Sequence, residues 1–231
     1  MATSIQRSHN RTDETRRDRV SVTNNLLGEE QARSLLAWFE RLSFKSVHEK
    51  RWKSVWRLTE KPALQGPTWT ADAHGNGVNT ELPEPLQPLA REIARAMLDP
   101  RSNAWIVSLT PWIYPVASGL GLHRDDTLYD GAYTYYLTRE WDVHWGGLLL
   151  LVPDDPDSPP VRRAVFEPEE ERRSVAQIGH GSWILPSFDR LVTIPPHVRH
   201  AITRVEPAAG DRVRLSVAGF VHRRDRSVPS R

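Results

Sequence analysis

The sequence predicts an α+β fold that is mainly β, with helices packed on an antiparallel, double-layered β core. Three observations support this. Two amphipathic stretches precede Pro100, short apolar or alternating runs separated by Gly, Pro and Asp follow it, and no internal repeat suggests a solenoid. At 231 residues, one large domain with extensions fits better than two independent cores. The expected layout is a flexible tail over residues 1–20 and a single domain over 21–231. Within that domain, helical support spans about 21–100 and the β core about 101–222.

The tail carries Arg7, Arg11, Arg16, Arg17 and Arg19 among Asp, Thr and Ser, with almost nothing apolar to bury. From Gly28 to Leu42, the residues Ala32, Leu35, Leu36, Phe39 and Leu42 recur at three- and four-residue steps, which predicts a helix. Pro85 to Met97 predicts a second, with Leu86, Leu89, Ile93, Ala94 and Met97 on one side. Between them, Trp52 to Thr70 suggests an early strand and loops, and Asp72 to Gly77 reads as a turn. The later strand candidates are Ala104–Leu109, Tyr133–Leu137, Gly147–Val152, Ser182–Pro186, Leu191–Ile194, Arg199–Val205 and Arg212–Val221. Their close spacing predicts a sandwich or barrel. Asp154 to Arg173 is rich in Pro and charge and reads as an inserted surface loop or hairpin, a candidate lid. Its Glu167, Glu169, Glu170 and Glu171 beside Arg172 and Arg173 form a solvated cluster.

Composition restricts the function classes. Apolar residues make up 39% of the chain, yet the longest aliphatic run, Leu148 to Val152, is strand-sized and far short of the ~18 residues that span a bilayer. No membrane association is expected. With no cysteine and no apolar segment after the first basic residues, the expected location is the cytoplasm. A net charge of +2, with basic and acidic residues interleaved, argues against a nucleic-acid partner. Oligomeric state leaves no signal in the sequence.

The chemistry lies in two distant segments. In an extended strand, residues two apart point to the same side, about 6.5–7 Å apart, so His123 and Asp125 can face one cation while Arg124 turns away. A third ligand must come from a remote strand. His200 opens the alternating run His200 to Val205, whereas His197 follows Pro195-Pro196 where the chain turns, which favours His200. Two histidines and a carboxylate on one face of Fe(II) leave positions open for an organic co-substrate and O2. His144, His180 and His222 lack such partners nearby in sequence. Along Arg212 to Val221, Arg214, Ser216 and Ala218 share one side. A guanidinium with a hydroxyl two residues on suits a carboxylate, with Arg212 the residue most easily mistaken for it. The turn at Ala208 to Asp211 suggests that the His200 and Arg214 strands form a hairpin. Trp105, Trp112, Trp141, Trp145 and Trp183 are read chiefly as packing residues, with one or two available to wall a pocket.

The ordered set Tyr114, Gly119, His123-Arg124-Asp125, Thr134-Tyr135-Tyr136-Leu137, Trp145-Gly146-Gly147, Gly181, Pro186-Ser187, His200 and Arg214 to Phe220 resembles the prolyl 4-hydroxylase-like branch of the Fe(II)/2-oxoglutarate oxygenases, over roughly residues 104–222. The resemblance implies a double-stranded β-helix (a jelly roll, cupin-like) with the N-terminal helices on one sheet. It implies His123, Asp125 and His200 as iron ligands and as the catalytic centre, and Arg214 on the distal carboxylate of 2-oxoglutarate. Ser216, Tyr114 and, from the Tyr133/Tyr135 face, Tyr135 are implied as helpers. Fe(II), 2-oxoglutarate and O2 are the implied cofactor and co-substrates, and succinate and CO2 the co-products. Because Asp125 fills the position that halogenating members leave small, hydroxylation or desaturation is favoured. The expected substrate is a small molecule, amino acid or peptidyl side chain, in a biosynthetic setting. A cupin-like metal-binding or sensor protein without turnover is the alternative from another class, and Arg214 argues against it. A nucleic-acid dealkylase is disfavoured by the lack of a basic stripe with stacking aromatics.

Overall fold

A computed structural model of the chain describes residues 19–47, 61–74, 77–78, 82–98, 104–126, 128–153 and 176–223. The expected tail, apart from its last two residues, lies outside these, as do Trp52 to Glu60 and the whole of the charged 154–173 insertion.

Helix α1 spans Glu29–Phe39 and α2 spans Leu86–Met97. Both begin where the sequence suggests. Glu29 and Glu30 sit in the first turn of α1, where negative charge is favourable, and Pro88 lies in the first turn of α2, where a missing N–H costs no helical bond. Helix α1 stops three residues before Leu42, because the amides of Arg41 and Leu42 donate to Trp38 and Phe39 in a tightened final turn.

The strands are β1 (Ser21–Asn24), β2 (Lys45–Ser46), β3 (Leu64–Gln65), β4 (Trp69–His74), β5 (Gly77–Val78), β6 (Ala104–Tyr114), β7 (Leu120–His123), β8 (Gly131–Tyr136), β9 (Leu149–Val152), β10 (Ser182–Ile184), β11 (Arg190–Ile194), β12 (Arg199–Ile202) and β13 (Arg214–Arg223). Among the described residues they form two antiparallel sheets. The larger has the order β1-β11-β8-β13-β6-β3-β2, with β4 also on β6 and β5 on β4; the smaller is β10-β9-β12-β7. This is the two-layered, mainly-β architecture expected of a double-stranded β-helix. Strand β6 runs on through Pro111, past the end suggested by sequence. Of the suspected turn at Asp72 to Gly77, Asp72 to His74 belong to β4 and Gly77 to β5, which pair antiparallel, while residues 75–76 lie outside the described residues.

Alternation divides the larger sheet into two working faces. Tyr133, Tyr135, Leu137, Val107, Leu109, Val217 and Val221 face the helices and share one cluster with Leu35, Phe39, Leu89 and Ile93. Ala132 and Tyr136 turn the other way and pack with Leu149 and Leu151 of the smaller sheet. The helices therefore back one sheet and leave the space between the sheets for a site. The expected His200–Arg214 hairpin is corrected: β12 belongs to the smaller sheet and β13 to the larger, so the Pro207–Ala209 turn crosses between layers.

One buried carboxylate ties the helical layer to the sheet. Asp189, 2% exposed and at a positive φ of 56°, accepts hydrogen bonds from the Leu27 and Gly28 amides (both 2.9 Å) and from the Tyr135 hydroxyl (2.7 Å). Asp189→Ala leaves these donors without their acceptor and should cost roughly 3 kcal/mol, while Asp189→Asn, which also tolerates the left-handed backbone, should cost less. Urea unfolding of the three proteins checks the order; equal midpoints for wild type and Asp189→Ala would contradict it.

Candidate metal centre and anion pocket

His123 ends β7 and His200 lies in β12, and the two are directly paired in the smaller sheet with ring centroids 4.2 Å apart. Asp125, two residues beyond His123, reaches both imidazoles. Asp125 Oδ1 is 3.8 Å from His123 Nε2, and its Oδ2 is 3.6 Å from His200 Nε2. All three residues are buried, and the donor atoms lie within 4.8 Å of one another.

The hydrogen bonds identify which ring atoms carry lone pairs. His123 Nδ1 is 2.9 Å from the Gly121 carbonyl and His200 Nδ1 is 3.0 Å from that of Val198. A carbonyl only accepts, so each Nδ1 bears the proton and, in the neutral ring, each Nε2 presents a lone pair. Burial and the neighbouring His200 push the His123 imidazole down to about 4, against the opposing pull of Asp125. Asp125 Oδ2 is buried without a hydrogen-bond partner. Two nitrogen lone pairs and a carboxylate converging in a buried space repel one another unless a cation lies between them, and this donor set fits Fe(II).

The larger sheet carries the opposite charge. Arg214 is fully buried. Its Nη1 is 3.3 Å from Ser216 Oγ, while Nε and Nη2 have no partner. Its guanidinium carbon lies 4.7 Å from the centre of the Tyr114 ring and 4.9 Å from that of Tyr136. Burial pushes the Tyr114 phenol up to about 12, against Arg214, so it stays protonated. Gly147, at φ 62°, lets the chain pass Arg214, since a Cβ there would sit 3.2 Å from Arg214 Cδ. Among the described residues no carboxylate neutralises this guanidinium, so the pocket is built to receive an anion.

Of the residues proposed from sequence, His123, Asp125 and His200 come together, as do Arg214, Ser216 and Tyr114. Tyr135 does not join them. Its side chain lies on the helix-facing side and its hydroxyl is committed to Asp189. The tyrosine facing Arg214 is Tyr136, whose buried hydroxyl has no partner. Period-two alternation within Tyr133 to Tyr136 carried that signal. Arg212 is exposed and lies over Trp145, 4.5 Å from the ring centre, while His144, His180 and His197 are exposed.

The fold is a two-sheeted, mainly-β double-stranded β-helix, and its interior carries a His-x-Asp…His donor set. Among particular structures, the chain is similar to a prolyl hydroxylase from Trichoplax adhaerens, solved with a peptide fragment of the hypoxia inducible factor oxygen degradation domain (TM-score 0.59, 15% identity, 97% of this chain and 99% of that one). It is also similar to a 2OG-Fe(II) oxygenase family oxidoreductase from Burkholderia pseudomallei (0.58, 14%, 91% and 88%). A third is HygX from Streptomyces hygroscopicus, solved with nickel and 2-oxoglutarate bound (0.56, 12%, 94% and 87%). No family model and no curated protein matches the sequence.

Two outcomes follow from this geometry. His123→Ala and Asp125→Ala should each lower Co(II) binding from one equivalent to none by calorimetry, with circular dichroism unchanged. Because the folded His123 value lies below the ordinary 6.5, the unfolded chain takes up the proton first. The corresponding stability of the metal-free protein is complete above about pH 6.5 and is lost as pH falls toward 4. Thermal unfolding from pH 7 to 4.5 should therefore fall less steeply in His123→Gln than in wild type.

Proposed function

We propose that this protein is an Fe(II)/2-oxoglutarate-dependent dioxygenase that hydroxylates an unactivated C–H bond of a small molecule, amino acid or peptidyl side chain. The observation that carries the proposal is the pair of unmet demands in one interior: a cation required by His123, Asp125 and His200, and an anion required by Arg214. A metal store or sensor needs the first and not the second.

His123, Asp125 and His200 would hold the metal. With 2-oxoglutarate and O2, Fe(II) supplies the oxidising chemistry, in which one oxygen atom enters the substrate C–H bond and the other enters succinate as CO2 leaves. The chain's own residues provide the rest. Arg214 binds the distal carboxylate with Nε and Nη2, Ser216 orients Nη1, and the Tyr136 hydroxyl donates a further hydrogen bond. The fixed Nδ1 protons hold both imidazoles in the ligating tautomer without solvent reorganisation. The buried walls exclude water from a reactive centre. Asp125 keeps the carboxylate position occupied, which favours oxygen transfer over halide transfer. The peptide in the Trichoplax complex is consistent with a peptidyl substrate, and HygX with its bound 2-oxoglutarate is consistent with that co-substrate.

Anaerobic addition of Fe(II) and 2-oxoglutarate should produce a weak visible charge-transfer band; its absence at saturating concentrations overturns the proposal. Arg214→Ala should weaken 2-oxoglutarate binding roughly 100-fold, and Tyr136→Phe about five- to tenfold, as expected for losing a charge-assisted pair and one hydrogen bond. Co(II) affinity should stay within twofold in both. If Tyr135→Phe instead reproduces the Tyr136→Phe loss, the face assignment is wrong.

A further inference from the structure

The cavity lined by His123 and Asp125 has a volume of about 400 Å³, toward the small end of ligand pockets, which run to ~1,000 Å³. A space of this size beside the metal ligands takes a small molecule or a single side chain. Apart from His123 and Asp125, none of its described lining residues is charged. Beyond the metal and Arg214, whose charges the co-substrate takes up, a substrate carboxylate, phosphate or ammonium would meet no counter-charge among the described lining residues and would lose its hydration, which disfavours it. The walls are apolar. Leu120 and Ile202 line one side, and on another Tyr129 stacks on Phe220 with centroids 4.2 Å apart and planes 14° from parallel.

Most polar groups on these walls are already committed. The Tyr133 hydroxyl donates to the Ser108 carbonyl (2.7 Å), and Ser108 Oγ accepts from the Phe220 amide (2.9 Å). A short relay remains. Gln65 Nε2 donates to Thr68 Oγ1 across a long 3.4 Å, and Thr68 Oγ1 lies 2.9 Å from Thr110 Oγ1. In the arrangement where Thr68 accepts from Gln65 and donates to Thr110, the buried Thr110 hydroxyl is left to donate into the cavity.

We infer that the substrate is an uncharged, largely apolar molecule bearing a carbonyl or ether oxygen, and that the Thr110 hydroxyl, positioned by Thr68 and Gln65, holds that oxygen and sets specificity. Free amino acids and organic acids are disfavoured as the substrate. This inference rests on the oxygenase reading, because it takes the metal ligands to mark the reacting end of the cavity.

The test uses full-length protein and three probes that share one skeleton: 2-acetylnaphthalene, 2-ethylnaphthalene and 2-naphthoate. Co(II) and 2-oxoglutarate binding is measured first by calorimetry, and each probe is then titrated into the loaded protein. Paramagnetic broadening of probe resonances by Co(II) verifies the location. The ketone should bind at least tenfold tighter than the naphthoate. Thr110→Val should weaken ketone binding about five- to tenfold, leave 2-ethylnaphthalene within twofold, and be rescued by Thr110→Ser. Equal or tighter naphthoate binding, an equal loss for ketone and ethyl probes in Thr110→Val, or no binding by any probe overturns the inference. Failure of Co(II) or 2-oxoglutarate to bind overturns the oxygenase reading instead, and the probe ranking is then judged on the metal-free protein by the same criteria.

Discussion

A guanidinium with no exposed surface and, among the described residues, no neighbouring carboxylate is the constraint around which the interior is arranged. Burying an uncompensated charge costs several kcal/mol, a cost that the faces of Tyr114 and Tyr136 only partly offset. Across the interior the problem has the opposite sign, because His123, Asp125 and His200 gather electron pairs that need a cation. Each sheet carries one half. The larger presents Arg214 from β13, and the smaller presents the paired histidines of β7 and β12. Facing sheets lie about 10 Å apart. A ligand with a chelating group at one end and a carboxylate at the other meets both demands at once, which is why 2-oxoglutarate suits this interior better than a metal ion alone.

Much of this was legible in the sequence, because strand periodicity is a local property. The His-x-Asp spacing puts two ligands on one side of an extended chain, and alternation along β13 puts Arg214 and Ser216 together on the inner face. Choosing His200 over His197 needed only the observation that one begins an alternating run and the other follows two prolines. Relations between strands were harder to read. A turn between His200 and Arg214 looks the same whether its strands pair or part, and here they part into different sheets. Strand β7, Leu-Gly-Leu-His, is too short to show a period. Polar β1 is a strand only because β11 offers it an edge.

The mistaken tyrosine shows how a site is coupled to its scaffold. Tyr135 and Tyr136 are adjacent and chemically alike, so nothing intrinsic to them decides which meets the anion pocket. Register decides it: a shift of β8 by one residue would turn every side chain to the other face. In the observed register Tyr135 pairs with Leu191 and Tyr136 with Arg190 on β11, and Tyr136 with Ser216 on β13. Asp189, just before β11, takes the Tyr135 hydroxyl and the Leu27 and Gly28 amides together. A one-residue slip would break these bonds and carry Tyr136 away from Arg214. The outer hydrogen bonds thus do more than hold helix α1 against the sheet. By fixing which face of β8 is outward, they determine which hydroxyl stands beside the buried guanidinium.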